Sequence, residues 1–234
     1  MFNLKIASKL KIANKFDYQF RWLLNLRKEI KIRYRNQPKI FVIGLNKTGT
    51  TSAFSALKEL GFDMSNQHDA ERIYNDILKG KKTDKDILEY CKYYEGFQDI
   101  PFSIPKYYKV LDKKFKKSKF ILTIRNNDKE WSSSFRKYYD IEKSLPENNY
   151  ISKGFLFNVF KGVFCSTNFS EENCLNVYNE HYDDVLQYFK NRNQDLLILN
   201  VAKKGAYLEF CNFLNKKPLR RSFEWKNKLV DNNK

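Results

Sequence analysis

Lys39-Ile40-Phe41-Val42-Ile43-Gly44-Leu45-Asn46-Lys47-Thr48-Gly49-Thr50-Thr51-Ser52 changes character twice within a short span. The first residues form an apolar, β-branched run that reads as a buried strand. The run breaks at Gly44 and passes through a loop that holds Gly49, Lys47 and several hydroxyls. A helix pattern then takes over in Ser52–Leu60, with Phe54, Leu57 and Leu60 at helical spacing and Gly61 as the stop. A strand, loop and helix in this order leave the first helical N–H groups without backbone acceptors, facing the loop with the positive end of the helix dipole. That is an anion site. Glycine lets the backbone approach the anion, Lys47 adds a full charge, and Thr48, Thr50, Thr51 and Ser52 add donors.

The position of the lysine decides what kind of phosphate loop this is. An ATP or GTP loop, G-x-x-x-x-G-K-[ST], places its lysine directly after the second glycine. Gly44 and Gly49 have that separation, but Thr50 stands where the lysine would be and the lysine lies inside the loop at position 47. The later strand candidates also lack a magnesium-binding aspartate at their ends. Phe120–Ile124 runs into Arg125, and Leu196–Leu199 runs into Asn200. A hydrolytic nucleotidase is disfavoured.

A second stretch, Lys119 to Phe135, repeats the logic. Phe120-Ile121-Leu122-Thr123-Ile124 reads as a buried parallel strand, Arg125 sits at its end, and a helix starts near Asp128. A guanidinium at a strand terminus is costly unless it binds an anion or a carboxylate. Ser133 follows eight residues later on that helix and can aim a hydroxyl at the same point. Between the two stretches, Glu95–Pro101 reads as a short strand ending in Asp99, followed by a helix from Lys106 to Phe115. Asp99 then emerges at the C-terminal edge of the sheet, where open α/β folds bind ligands. Its carboxylate is a candidate base; capping the next turn or pairing with a lysine is the structural alternative. His68, in a loop before an Ala70–Leu78 helix, is the other candidate acid–base group, or else a loop histidine bonded to backbone.

These motifs, in this order, resemble the sulfotransferases that use 3′-phosphoadenosine-5′-phosphosulfate (PAPS). In that family Lys-x-Gly-Thr after an apolar strand forms the 5′-phosphosulfate loop, as Lys47-Thr48-Gly49-Thr50-Thr51-Ser52 does here. An Arg and a Ser at the separation of Arg125 and Ser133 hold the 3′-phosphate, and an Asp-x-Pro like Asp99-Ile100-Pro101 precedes a Tyr-rich helix. The chain departs from the family in having Asn46 where proline is frequent, and Arg125-Asn126-Asn127 where Arg-Asp-Pro is frequent. The resemblance implies an α/β fold of three layers (αβα) with a central parallel sheet, similar in architecture to P-loop nucleoside-triphosphate hydrolases. It also implies transfer of a sulfuryl group from PAPS to a hydroxyl or amine, with adenosine 3′,5′-bisphosphate as product and no metal. By the same resemblance the aromatic Tyr138–Phe169 segment builds the acceptor pocket, and His181, on a helix before the last strand, is buried and hydrogen-bonded rather than catalytic. Lys203-Lys204-Gly205 is only loosely similar to a 3′-phosphate element of the family.

Composition sets the outer bounds. The 234 residues suffice for one ordinary domain, and 42% hydrophobic with 16% aromatic residues describe a globular chain. A formal charge of +17 predicts attraction to polyanions without choosing one. Cys91, Cys165, Cys174 and Cys211 show no C-x-x-C pairing or metal-ligand spacing and read as reduced, buried thiols. Residues 1–38 form a basic extension with a helical apolar face built on Phe16, Phe20, Leu23, Leu24 and Ile30. It holds no apolar run of the roughly 18 residues a span requires. Two readings stay open for it: packing against the domain, or peripheral contact with an anionic membrane surface. Asn46-Lys47-Thr48 is a glycosylation sequon inside the presumed cofactor loop, which favours a cytoplasmic chain. Residues 39–218 are the expected catalytic domain and 219–234 a polar tail that frays.

Two rival classes remain beside sulfuryl transfer. A nucleotide or sugar kinase would bind ATP with magnesium and ignore a 3′-phosphate. A binding protein for nucleic acid or anionic membrane would associate in a steeply salt-dependent way without turnover. The absence of a lysine after Gly49 argues against the first class, and the strand-end placement of Lys47 and Arg125, rather than a surface stripe, argues against the second. The acceptor class — glycan, glycolipid or small alcohol — and the oligomeric state are not legible.

Overall fold

A computed structural model describes residues 37–144, 162–164 and 169–224. Contacts divide the chain at Gln37/Pro38, and the basic N-terminal segment lies outside the described residues, as do Cys165, Phe155, Phe157 and Phe160. The described elements are β1 (Ile40–Val42), α1 (Thr50–Glu59), α2 (Gln67–Leu78), α3 (Asp84–Tyr90), β2 (Gly96–Gln98), α4 (Pro105–Lys114), β3 (Lys119–Thr123), α5 (Asp128–Ser144), α6 (Glu171–Tyr188), β4 (Leu196–Leu199) and α7 (Ala206–Phe213).

The strands form one parallel sheet in the order β2-β1-β3-β4. Parallel neighbours need crossover helices, and these cover both faces. Period-two alternation sorts the strand residues between two cores. Phe41, Phe97, Phe120 and Leu122 face a large cluster shared with α2 to α6. Ile40, Val42, Ile121, Leu197 and Leu199 face a smaller one shared with α1 and α7. The chain is therefore a three-layer α/β protein with a lopsided pair of cores.

One aromatic row fixes the register. Phe41 pairs with Phe97 on one side and Phe120 on the other, and its ring stacks on both, with centroids 5.2 and 5.3 Å away. A slip of one residue would turn this whole row to the opposite core. Parallel strands also bring their C-terminal ends to one edge. The segments after β1, β2, β3 and β4 start there.

Phe62–Met64 makes a single bridge, Met64 to Gly96. α3 stops at Tyr90, after which Tyr94 packs its ring on Phe97. The tail does not fray at once beyond Pro218. Phe223 is buried against Tyr207 and Phe210, and Arg220 pairs with Glu59 and Glu224. An aromatic residue that covers the small core outweighs the polar composition around it. Cys91, Cys174 and Cys211 are free and buried, as their spacing suggests. Among the described residues no helix is long and apolar enough to cross a membrane.

Candidate active site

The β1–α1 loop is held tightly against β3. Ile43 continues the ladder by donating its N–H to Ile121 O at 2.8 Å. Gly44 leaves no room for a side chain, because a Cβ there would lie 2.0 Å from Thr123 Oγ1 and 2.5 Å from Thr123 O. Thr48 is fully buried; its hydroxyl donates to Leu45 O at 2.6 Å and lies 2.6 Å from the Thr123 hydroxyl. Thr48 therefore braces the loop from inside, where the sequence suggests a phosphate donor.

Two residues of the loop take left-handed backbone conformations, Lys47 at φ 69° and Gly49 at φ 107°. Gly49 has no Cβ to resist this, and one would meet Val201 Cγ2 at 2.6 Å. Lys47 has a Cβ and adopts a conformation that costs a non-glycine residue of order 1–3 kcal/mol, a kind of strain concentrated at functional sites. α1 starts at Thr50, and its first bonds run from the Ser52 and Ala53 amides to Gly49 O. Among the described residues the amides of Gly49, Thr50 and Thr51 have no acceptor. Lys47 Nζ lies 5.5 Å from the centre of the Tyr138 ring on α5.

Asp99 follows β2 and sits against this loop. Its N–H donates to Val42 O at 3.0 Å. Its Oδ2 accepts from Asn46 Nδ2 at 3.1 Å and Thr50 Oγ1 at 3.4 Å, and its Oδ1 accepts from the Ile100 amide at 3.0 Å. The residue is buried and left-handed, with φ 59°. Burial is the main force on its carboxyl, followed by the nearby charge of Glu71; against the bonds from Ile100 and Thr50 and the charge of Lys47, these push its pKa up to about 7. Asp99 is a carboxyl set to exchange a proton near neutrality.

Arg125 reaches the same loop from the next strand. Its Nε donates to Lys47 O at 2.7 Å, its Nη1 lies 3.4 Å from Glu130 Oε1, and its own amide donates to Tyr178 OH at 3.3 Å. Trp131, fully buried between Phe135 and Tyr178, donates its indole N–H to Asn46 O at 2.9 Å. The carbonyls of Asn46 and Lys47 are thus both tied to the β3–α5 segment. Ser133 is exposed on α5, one turn after the Glu130 that pairs with Arg125. Its neighbour Ser132 turns inward instead and donates to Glu171 Oε1 at 2.9 Å.

The fold thus gathers Lys47, Thr48, Gly49, Thr50, Thr51, Ser52, Asp99 and Arg125 at one edge of the sheet. His68 connects to that group only through Glu71, the carboxylate whose charge helps to raise the Asp99 pKa. It is the second residue of α2, two-thirds exposed, with Nδ1 3.3 Å from Glu71 Oε2. His181 is buried on α6 with Nε2 2.7 Å from Ile43 O. Among the described residues no cluster of His, Cys, Asp or Glu could hold a metal ion. Sequence reading overlooked three members of the site. Asn46 orients Asp99, Trp131 anchors the loop, and Glu130 pairs with Arg125. Only Trp131 carries a signal, since a buried indole needs an acceptor for its N–H.

No curated protein matches the chain. The family model described as a sulfotransferase domain matches residues 39–231. That span covers the sheet, the loop after β1 and the Arg125 segment together, and the chain belongs to the sulfotransferase family.

Proposed function

We propose that this sulfotransferase takes its sulfuryl group from PAPS and passes it to a hydroxyl or amine of an acceptor. One observation carries the reading: the Arg125 guanidinium bonds directly to the backbone of Lys47, so the two cations belong to one site. The donor set fits such a nucleotide. Three unpartnered amides at the start of α1, Lys47 beside them and hydroxyls at Thr51 and Ser52 suit the 5′-phosphosulfate. Arg125, with Ser133 one turn beyond its Glu130 partner, suits the 3′-phosphate.

When bound, the donor supplies a sulfur that gains a bond to the acceptor oxygen or nitrogen as its bond to the 5′-phosphate oxygen breaks, yielding the sulfated acceptor and adenosine 3′,5′-bisphosphate. Lys47 and the α1 amides would hold the 5′-phosphosulfate and stabilise the negative charge that grows on the departing phosphate. Preorganised donors of this kind are typically worth about 2.7–4 kcal/mol each. Asp99 accepts the acceptor's proton at Oδ2, the oxygen shared with Asn46 and Thr50. Its burial beside the loop favours it over the exposed His68.

Calorimetry separates this reading from a kinase. Adenosine 3′,5′-bisphosphate should bind at least tenfold more tightly than ADP without magnesium. Equal affinity, or ADP binding that requires magnesium, would overturn the donor assignment.

A further inference from the structure

Glu130 divides its carboxylate between two partners. Oε1 faces Arg125 Nη1 at 3.4 Å, a loose ion pair, while Oε2 accepts from Asn126 Nδ2 at 2.6 Å. Its backbone follows neither, because the Glu130 amide donates to Asn127 Oδ1 at 2.8 Å at the start of α5. A shift from one partner to the other therefore needs the side chain alone.

Asn126 is held in turn from the end of β4. Asn200 Nδ2 donates to Asn126 Oδ1 at 2.9 Å, and Asn200 Oδ1 accepts from the Ala202 amide at 3.0 Å. The two ends of this row force the orientation of both side-chain amides. A backbone N–H only donates and a carboxylate only accepts, so every bond from Ala202 through Asn200 and Asn126 points toward Glu130. Donors aligned in this way polarise one another. The row is anchored inside, since Asn200 is buried while Asn126 is exposed. Val201, beside Asn200, packs on Gly49, where a Cβ would lie 2.6 Å from its Cγ2. The segment after β4 thus touches both cationic turns.

The guanidinium has little to spare. Its Nε stays on Lys47 O at 2.7 Å, so an anion must reach Arg125 through the Nη groups, where Glu130 already stands. A carboxylate drawn toward Asn126 yields that place. Without Asn126, the Glu130 carboxylate would keep Arg125 as its one side-chain partner among the described residues.

We propose that Asn126, set by Asn200, is a positioning residue for the anion site on Arg125: it receives the Glu130 carboxylate when a phosphate arrives, and so sets how readily the chain takes a 3′-phosphorylated nucleotide. The identity of that nucleotide rests on the sulfuryl-transfer reading; the competition for Arg125 does not.

Two probes test this on the full chain. Adenosine 3′,5′-bisphosphate is titrated by calorimetry against ADP, and inorganic sulfate is followed at the Arg125 side-chain ¹⁵N resonances. Asn126→Ala should weaken both adenosine 3′,5′-bisphosphate and sulfate by about two- to tenfold, the size of one ordinary hydrogen bond, and leave ADP unchanged. Asn200→Ala should act in the same direction and less strongly. In a Glu130→Gln background the Asn126→Ala loss should disappear, because the carboxylate that Asn126 receives is gone. A merely structural role for Asn126 would persist there. Unchanged affinity for both probes in Asn126→Ala, or an equal loss with and without Glu130→Gln, overturns the proposal even where the nucleotide preference holds. Failure of the donor reading looks different: adenosine 3′,5′-bisphosphate and ADP then bind the unaltered chain equally, while the sulfate response still depends on Asn126. Arg125 resonances that respond to neither probe overturn both.

Discussion

The segments after β1 and after β3 each end a buried parallel strand with a cation, and they hold it by opposite means. Around Lys47 the backbone is fixed: a left-handed residue, a buried Thr48–Thr123 hydroxyl pair, and carbonyls tied to Trp131 and Arg125. Around Arg125 the side chain itself is engaged, on Lys47 O and on Glu130. On the proposed reading, the first segment carries its cation on a fixed backbone, and the second carries one that exchanges a carboxylate for an incoming phosphate. Under the proposed function, changes at the first should appear in the rate of transfer, and changes at the second in the affinity and choice of nucleotide.

The largest effect is expected from Asp99→Asn, at the end of β2 against the first segment, which keeps the shape there and removes the proposed base. Turnover should fall about 10²- to 10⁴-fold, with nucleotide affinity nearly unchanged. In the unaltered enzyme kcat/KM should rise with pH and level off above about 7, since the carboxyl must lose its proton to work. The sign for stability is the reverse. The raised pKa means that between the ordinary carboxylate range and about 7 the folded chain keeps a proton that the unfolded chain releases. Stability should therefore fall as pH climbs through that window, and Asp99→Asn should flatten the fall in thermal melts. A flat profile in the unaltered chain would remove Asp99 from the mechanism.

Lys47→Ala comes next, with an expected loss of about 10²- to 10³-fold in kcat by analogy with the removal of one preorganised donor. A rise in KM with kcat intact would mean that the loop only binds. Arg125→Ala should instead erase the preference for adenosine 3′,5′-bisphosphate over ADP in calorimetry. A charged hydrogen bond is worth about 1.5–3 kcal/mol, or roughly 10- to 150-fold. The smallest effect sharpens the contrast most. Glu130→Gln should tighten the 3′-phosphorylated nucleotide by up to about fivefold, the size expected for a partly exposed ion pair, and leave ADP unaffected. Weaker binding would show that Glu130 orients Arg125 rather than competing for it.

Much of this was legible in the sequence for identifiable reasons. Three apolar runs, closed by a glycine, an arginine and an asparagine, and one short mixed segment closed by Asp99 mark parallel strands whose ends share one edge. The position of the lysine within its loop separates this loop from an ATP site. Hydroxyl roles were less legible. Thr48 and Ser52 look alike as loop donors in sequence, but Thr48 is sealed beneath the loop by Thr123, a residue 75 positions away. Likewise, nothing local says that Asn46 turns its amide onto Asp99, 53 positions on. Such contacts depend on which strands are neighbours, and the register of the Phe41 row sets that, not residue spacing.

The hydrogen bond between Arg125 and the Lys47 carbonyl has a mechanical consequence. β1 and β3 are adjacent, so their separation is held near the usual parallel spacing of about 4.8 Å. Under the proposed function the two cationic turns are the jaws of a caliper whose gap is locked by the sheet and cross-braced by that bond. Such a device gauges the distance between two anionic groups rather than their total charge. Moving one phosphate from the 3′ to the 2′ oxygen keeps every charge and alters only the span, and it should be enough to lose the grip.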